Sequence, residues 1–130
     1  MGLNISLDTN IFIDVKNKDD SLEYSSKILD RIDSGELKCI LSTVVIAEMC
    51  AGYHMTGELL GKDDILDHVV TSRSYEIVPV STSIADDAGR IRAAAGLKLP
   101  DAIVVASAVS RGADLLISND ESLKKAAKLI

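Results

Sequence analysis

The sequence predicts an α/β chain, a three-layer α/β/α sandwich around a mainly parallel sheet. Three observations carry that expectation. Short strand-like runs alternate with longer segments of helical period from one end of the chain to the other. No internal repeat or low-complexity linker interrupts them, so residues 1–130 are expected to form one domain. Hydrophobic residues make up 47% of the chain but aromatics only 3%, with no Trp, so the core must be built from Ile, Leu, Val and Ala.

The elements follow in order. Residues 3–7 (Leu-Asn-Ile-Ser-Leu) alternate apolar and polar, which suits a strand. Ile11, Phe12, Ile13 and Val15 suggest a short helix over its end, and the polar residues 16–21 a loop. Ser21 or Asp20 can cap the next helix, where Leu22, Ser25, Ile28, Leu29 and Ile32 keep helical spacing up to Gly35. Lys38–Leu41 reads as a second strand. Ser42 or Thr43 then caps a helix over Val44–Cys50, with Gly52 suited to its end.

A further amphipathic helix is expected over 56–72, through Leu59, Leu60, Ile65, Leu66 and Val69. Tyr75–Val80 is a third strand, and Pro79 places it at a sheet edge or near its own end. Ser81 or Thr82 caps a helix with Ile84, Ala88, Ile91 and Ala95 on one stripe, closed by Gly96. Pro100 suits a first helical turn, and Asp101–Arg111 is apolar almost all round, which predicts deep burial. Asp114–Ser118 is a strand, a short helix starts at Glu121, and Lys128–Ile130 can begin a last small strand.

The formal charge of -6 is not that of a basic nucleic-acid coat protein. Cys39 and Cys50 match no zinc or redox spacing, and His54 and His68 have no partner at helical spacing. The N-terminus shows no signal-peptide pattern and no apolar run approaches the length of a membrane span, so a cytoplasmic protein is expected.

Four acids stand out. Asp8, Glu48, Asp101 and Asp120 lie far apart in sequence, each where a strand ends or a helix opens. Ligands in open parallel sheets bind beyond the carboxyl ends of strands, so all four can point into one cleft. Carboxylates beside apolar runs are costly unless a cation meets them, and a hard divalent metal is the simplest cation for an all-oxygen set. Each acid also has a plain structural role open to it. Asp101 can favour a helix dipole, Asp8 and Asp120 can cap helices, and Glu48 can be a surface residue. It is their coincidence that points to metal-assisted phosphodiester chemistry. Asp86 and Asp87 read as helix-dipole acids, Asp114 as the start of a strand, and Asp14, Asp30 and Asp33 as solvated. Arg90, Arg92 and Lys98 can hold RNA phosphates or simply form a solvated face.

The segments Leu7-Asp8-Thr9-Asn10-Ile11-Phe12, Ala47-Glu48-Met49, Leu97-Lys98-Leu99-Pro100-Asp101-Ala102-Ile103-Val104 and Gly112-Ala113-Asp114-Leu115-Leu116-Ile117-Ser118-Asn119-Asp120 together resemble the PIN-domain family, the small nuclease fold of VapC-type toxins. The resemblance spans essentially the whole chain. It implies a Mg2+- or Mn2+-dependent endoribonuclease that leaves a 5′-phosphate and a 3′-hydroxyl. By it, Asp8, Glu48 and Asp101 would be metal ligands, and Asp120 would bind a second metal or orient the attacking water. Thr9, Asn10 and Ser118 would be their hydrogen-bond partners. It further implies a VapB-like antitoxin that blocks the cleft by inserting an Arg or Lys. Leu59, Leu60 and Leu66 offer surface for that contact or for a homodimer. Large aromatics common after the last Asp of the family are replaced here by Leu123.

Other functions fit the residues less well. Nuclease domains of this kind also process RNA outside toxin–antitoxin pairs. A Mg2+-binding phosphoacceptor signalling domain would need further acids near the first strand, and residues 3–7 hold none. An Asp-x-Asp phosphatase would need a carboxylate at position 10, which is Asn.

Overall fold

The computed structural model describes residues 2–18, 22–120 and 123. Among the described residues, four strands form one sheet: β1 (Leu3–Leu7), β2 (Leu37–Ser42), β3 (Tyr75–Val78) and β4 (Leu115–Ile117). Their order is β3-β2-β1-β4, and every neighbouring pair is parallel. The helices among the described residues are α1 (Thr9–Asn17), α2 (Leu22–Asp33), α3 (Thr43–Thr56), α4 (Leu59–Thr71), α5 (Thr82–Ala95) and α6 (Leu99–Ser110).

The strand pleat sorts the core into two layers. Along β2, Cys39 and Leu41 face one side and Ile40 the other. Cys39, Leu41, Ile5 and Leu7 pack with Ile11, Phe12, Ile28, Ile32, Val45, Met49 and Val69 from α1 to α4. Ile40 and Val78 pack with Ile84, Ala88, Ile91, Ala102, Val105 and Ala106 from α5 and α6. This is the three-layer α/β/α arrangement expected from the sequence. With both faces covered, the strands must be apolar on both sides, and Ser6 and Ser42 are the only buried polar side chains among the described strand residues.

Helix starts agree with their local signals. Ser42 Oγ accepts from Val44 N at 3.3 Å and Ser81 Oγ from Ile84 N at 3.2 Å. Several expected boundaries move. α1 continues to Asn17 and ends at Lys18 in left-handed conformation, so residues 16 and 17 are helix, not loop. α3 runs past Gly52 to Thr56, and Gly57, with φ of 74°, is its C-cap. Gly52 serves packing instead: a Cβ there would stand 3.1 Å from Ile13 Cδ1 on α1. The helix expected over 56–72 therefore starts only at Leu59. β3 stops at Val78, before Pro79, and lies at the sheet edge. α6 begins at Leu99, with Pro100 in its first turn; Val104 to Ala108 are buried as expected, but Val109 to Arg111 are exposed. The capping residues at 20 and 21, the helix from Glu121 and the strand from Lys128 lie outside the described residues.

Among the described residues, no single helix is long and apolar enough to cross a membrane. Two acids read as solvated are engaged. Asp33 meets His68 Nε2 at 2.8 Å, and Asp14 accepts hydrogen bonds from Ser25 and Asn119.

Candidate metal centre

The chain passes from β1 outward to β2 and β3, then returns to place β4 on the other side of β1. Strand order therefore reverses between β1 and β4. Open parallel sheets form a crevice at such a point, beyond the strand carboxyl ends. Asp8 follows β1 and Asp120 follows β4, so both emerge there. The Asp8 N–H donates to Ile117 O at 3.1 Å, which ties the two strand ends together.

Asp8 is the buried anchor, only 4% exposed. It is the N-cap of α1, where Oδ1 accepts from Thr9 N at 2.8 Å. Oδ2 accepts from Ser118 Oγ at 2.9 Å and Asn10 Nδ2 at 3.2 Å. Asn10 Nδ2 also donates to Ser118 Oγ at 3.1 Å, and Asn10 Oδ1 accepts from Asn119 N at 3.1 Å. A backbone N–H can only donate, so the last bond fixes which way the Asn10 amide faces. Asp120 N donates to Ser118 Oγ at 2.9 Å. The Ser118 hydroxyl thus gives one bond and receives two, its full complement.

Asp101 enters from the first turn of α6. One oxygen each from Asp8, Asp101 and Asp120 lie within 4.8 Å of one another. A helix N-terminus ordinarily favours a charged carboxylate, worth about 0.3–1 kcal/mol. Here it is outweighed: burial and then the neighbouring Asp8, Asp120 and Glu48 push the Asp101 carboxyl up to about 6, and nearby Lys98 does not offset them. The site is a concentration of negative charge. Its donors are all oxygen, which suits a hard divalent cation.

Glu48 stands beside this group rather than in it. The closely spaced set holds Asp8, Asp101 and Asp120, while Glu48 Oε1 accepts from Thr9 Oγ1 at 2.7 Å. Its charge still reaches Asp101. The basic stretch before α6 is mostly occupied. Arg90 pairs with Asp87 at 2.8 Å, and Arg92 Nη1 donates to Leu97 O at 2.9 Å. Leu123, where an aromatic was the family expectation, is 7% exposed and packs in the α5–α6 layer. Sequence reasoning missed Asp14 and Asn119. The sole available signal was the spacing of Asn10 and Asp14, which puts both on one face of α1.

A parallel α/β sheet with acids gathered at its switch point defines a class of domains that bind a cation and a ligand in that crevice. The PIN domain matches residues 5–129, and the chain belongs to the PIN-domain family, whose nucleases use divalent metals. No curated protein matches at a significant level. Among solved structures, the chain is similar to a toxin–antitoxin complex from Klebsiella pneumoniae, at 22% identity and TM-score 0.68, covering 91% of this chain and 88% of that one. It is similar to VapBC2 from Rickettsia felis bound to a promoter DNA fragment, at 21% identity and TM-score 0.69, covering 95% and 92%. FitAcB from Neisseria gonorrhoeae is similar at 20% identity and TM-score 0.68, covering 95% and 93%. At these identities the likeness shows the fold.

Proposed function

We propose that the chain is a divalent-metal-dependent endoribonuclease and the toxin of a VapBC-type pair. The observation that carries this reading is the meeting of Asp8, Asp101 and Asp120, from three separate segments, at the crevice between β1 and β4. Those three would hold Mg2+ or Mn2+, with Glu48 reaching in from α3. Such an ion, when bound, lowers the pKa of water and offsets charge on a phosphoryl oxygen.

The chain's own residues do the rest. Asn10 and Ser118 hold Asp8 Oδ2 in place, so its orientation costs no reorganisation when substrate arrives. Thr9 fixes one oxygen of Glu48. Asp120 accepts a proton-bearing edge of the attacking water and orients it toward phosphorus. The water oxygen bonds to phosphorus as the bond to the 3′-oxygen breaks, giving a 5′-phosphate and a 3′-hydroxyl. Lys98, whose charge reaches Asp101, would meet an RNA phosphate there, so binding should weaken with salt.

The toxin role is supported by the solved neighbours, which are toxin–antitoxin complexes. An antitoxin would close the cleft and offer an Arg or Lys to its acids, in the cytoplasm where both act. Met55, Leu59, Leu60 and Val70 form exposed apolar surface on α3 and α4, suited to a homodimer.

Incubation of a mixed RNA pool with the wild type and Asp101→Ala, in Mg2+, Mn2+ or EDTA, tests the activity. Cleavage by the wild type in metal alone is expected. Equal cleavage by the variant, or cleavage in EDTA, overturns the assignment.

A further inference from the structure

We infer that Asp14 is a positioning residue for the acidic site: through Asn119 it holds the Ser118–Asp120 turn against α1, and so sets where the Asp120 carboxylate stands relative to Asp8. The inference rests on the reading of the site as a cation site.

β4 ends at Ile117, so no strand pairing guides the residues beyond it. Asn119 and Asp120 are exposed, and burial cannot fix them either. Hydrogen bonds hold them, one from Leu123 N to Asp120 O at 3.3 Å and two between Asn119 and α1. Asn10 and Asp14 lie one turn apart on the same helix face. Asn10 Oδ1 takes the Asn119 backbone N–H at 3.1 Å, and Asp14 Oδ2 takes the Asn119 side-chain Nδ2. Asn119 is therefore gripped at two points, backbone and side chain.

Asp14 is itself held. Its Oδ2 also accepts from Ser25 Oγ at 3.2 Å, and Ser25 is fully buried on α2. A chain of contacts thus runs from the α2 core through Asp14 and Asn119 to the turn. On the near side, Ser118 Oγ accepts from Asp120 N at 2.9 Å and donates to Asp8 at 2.9 Å. Without Asp14 the Asn119 side chain loses that anchor, and its hold on α1 falls to the backbone bond with Asn10. A carboxylate at the end of that turn then samples more positions. The charge of Asp14 matters less than its acceptor oxygen, since Asn119 Nδ2 asks only for a lone pair.

The test measures Mn2+ affinity by calorimetry at 25 °C for the wild type, Asp8→Asn, Asp14→Ala, Asp14→Asn, Asn119→Ala and the Asp14→Ala/Asn119→Ala double variant. Circular dichroism confirms that each is folded. Partners that orient metal ligands change affinity about 10–100-fold, and a residue one step further out belongs at the lower end. Asp14→Ala should weaken Mn2+ binding about tenfold, and Asp14→Asn should restore most of it. Asn119→Ala should match Asp14→Ala, and the double variant should lose no more than either alone. A purely structural Asp14 would lower the melting temperature and leave affinity within twofold of the wild type, which overturns the inference. Additive losses also overturn it. If Asp14→Ala does not fold, Asn119→Ala on the exposed turn decides the matter by the same criterion. A wild type that binds no Mn2+ removes the site reading and this inference together. Binding abolished by Asp8→Asn but untouched at 14 and 119 removes this inference alone.

Discussion

Ser118 Oγ donates to Asp8 Oδ2 across 2.9 Å, joining the residue that follows β4 to the residue that follows β1. These two strands flank the switch point of the sheet, and this contact closes the crevice floor. The same hydroxyl accepts from Asn10 and from Asp120 N, so a single oxygen relates three parts of the site.

Ser118→Ala removes all three bonds at once. Asp8 is buried and would lose one of its donors, at a cost of about 1–3 kcal/mol. Urea unfolding of the metal-free protein should show that loss. Ser118→Thr, which keeps the hydroxyl, should recover most of it.

Asn10→Asp tests whether the amide is needed as a donor. The new carboxylate could not donate to Asp8 Oδ2 or Ser118 Oγ and would face Asp8 at about the present 3.2 Å. Like charges that close disfavour joint ionisation. The variant should be less stable than wild type at pH 7 and recover as pH falls, read by urea unfolding at several pH values. Added Mn2+ should narrow the difference. Equal stability at pH 7 would mean that Asn10 does not hold Asp8.

Asp101 sets a pH dependence with a definite sign. Its carboxyl is raised from 3.8 to about 6 in the folded chain, by burial and then by Asp8, Asp120 and Glu48. Between those values the folded state binds more protons than the unfolded one. Stability of the metal-free protein should therefore fall as pH rises through that window. Asp101→Asn should flatten this slope and stabilise the metal-free protein at pH 7, while abolishing cleavage. Urea unfolding from pH 4.5 to 7 checks the slope. A variant less stable than wild type at pH 7 would contradict the picture of crowded like charge.

Gly57→Ala tests the observed end of α3. The residue adopts φ of 74°, where a Cβ costs about 1–2 kcal/mol. Chemical denaturation should show a loss of that size.

Much of the architecture was legible because its signals are local. Ser42 and Ser81 announce helix starts, and Pro79 announces the end of β3 and its edge position. Helix ends were harder. Gly52 looks like a terminator, yet its small size answers to Ile13 from another helix, and only the close approach of α1 reveals that. The acids at 8, 101 and 120 were legible because each follows a strand or opens a helix at the sheet's carboxyl side. Their separation was not, and the structure sets Glu48 to one side on Thr9. Asp14 looked solvated because its partners, Ser25 and Asn119, come from distant segments that no local pattern joins to it.

The central claim is that Asp8, Asp101 and Asp120 share a cation. Crystals grown with Mn2+ and measured at a wavelength where manganese scatters anomalously test it most directly. The account predicts an anomalous peak among those three carboxylates, absent from crystals of Asp8→Asn. A fully ordered site with no peak, or a peak bound elsewhere on the chain, would contradict it.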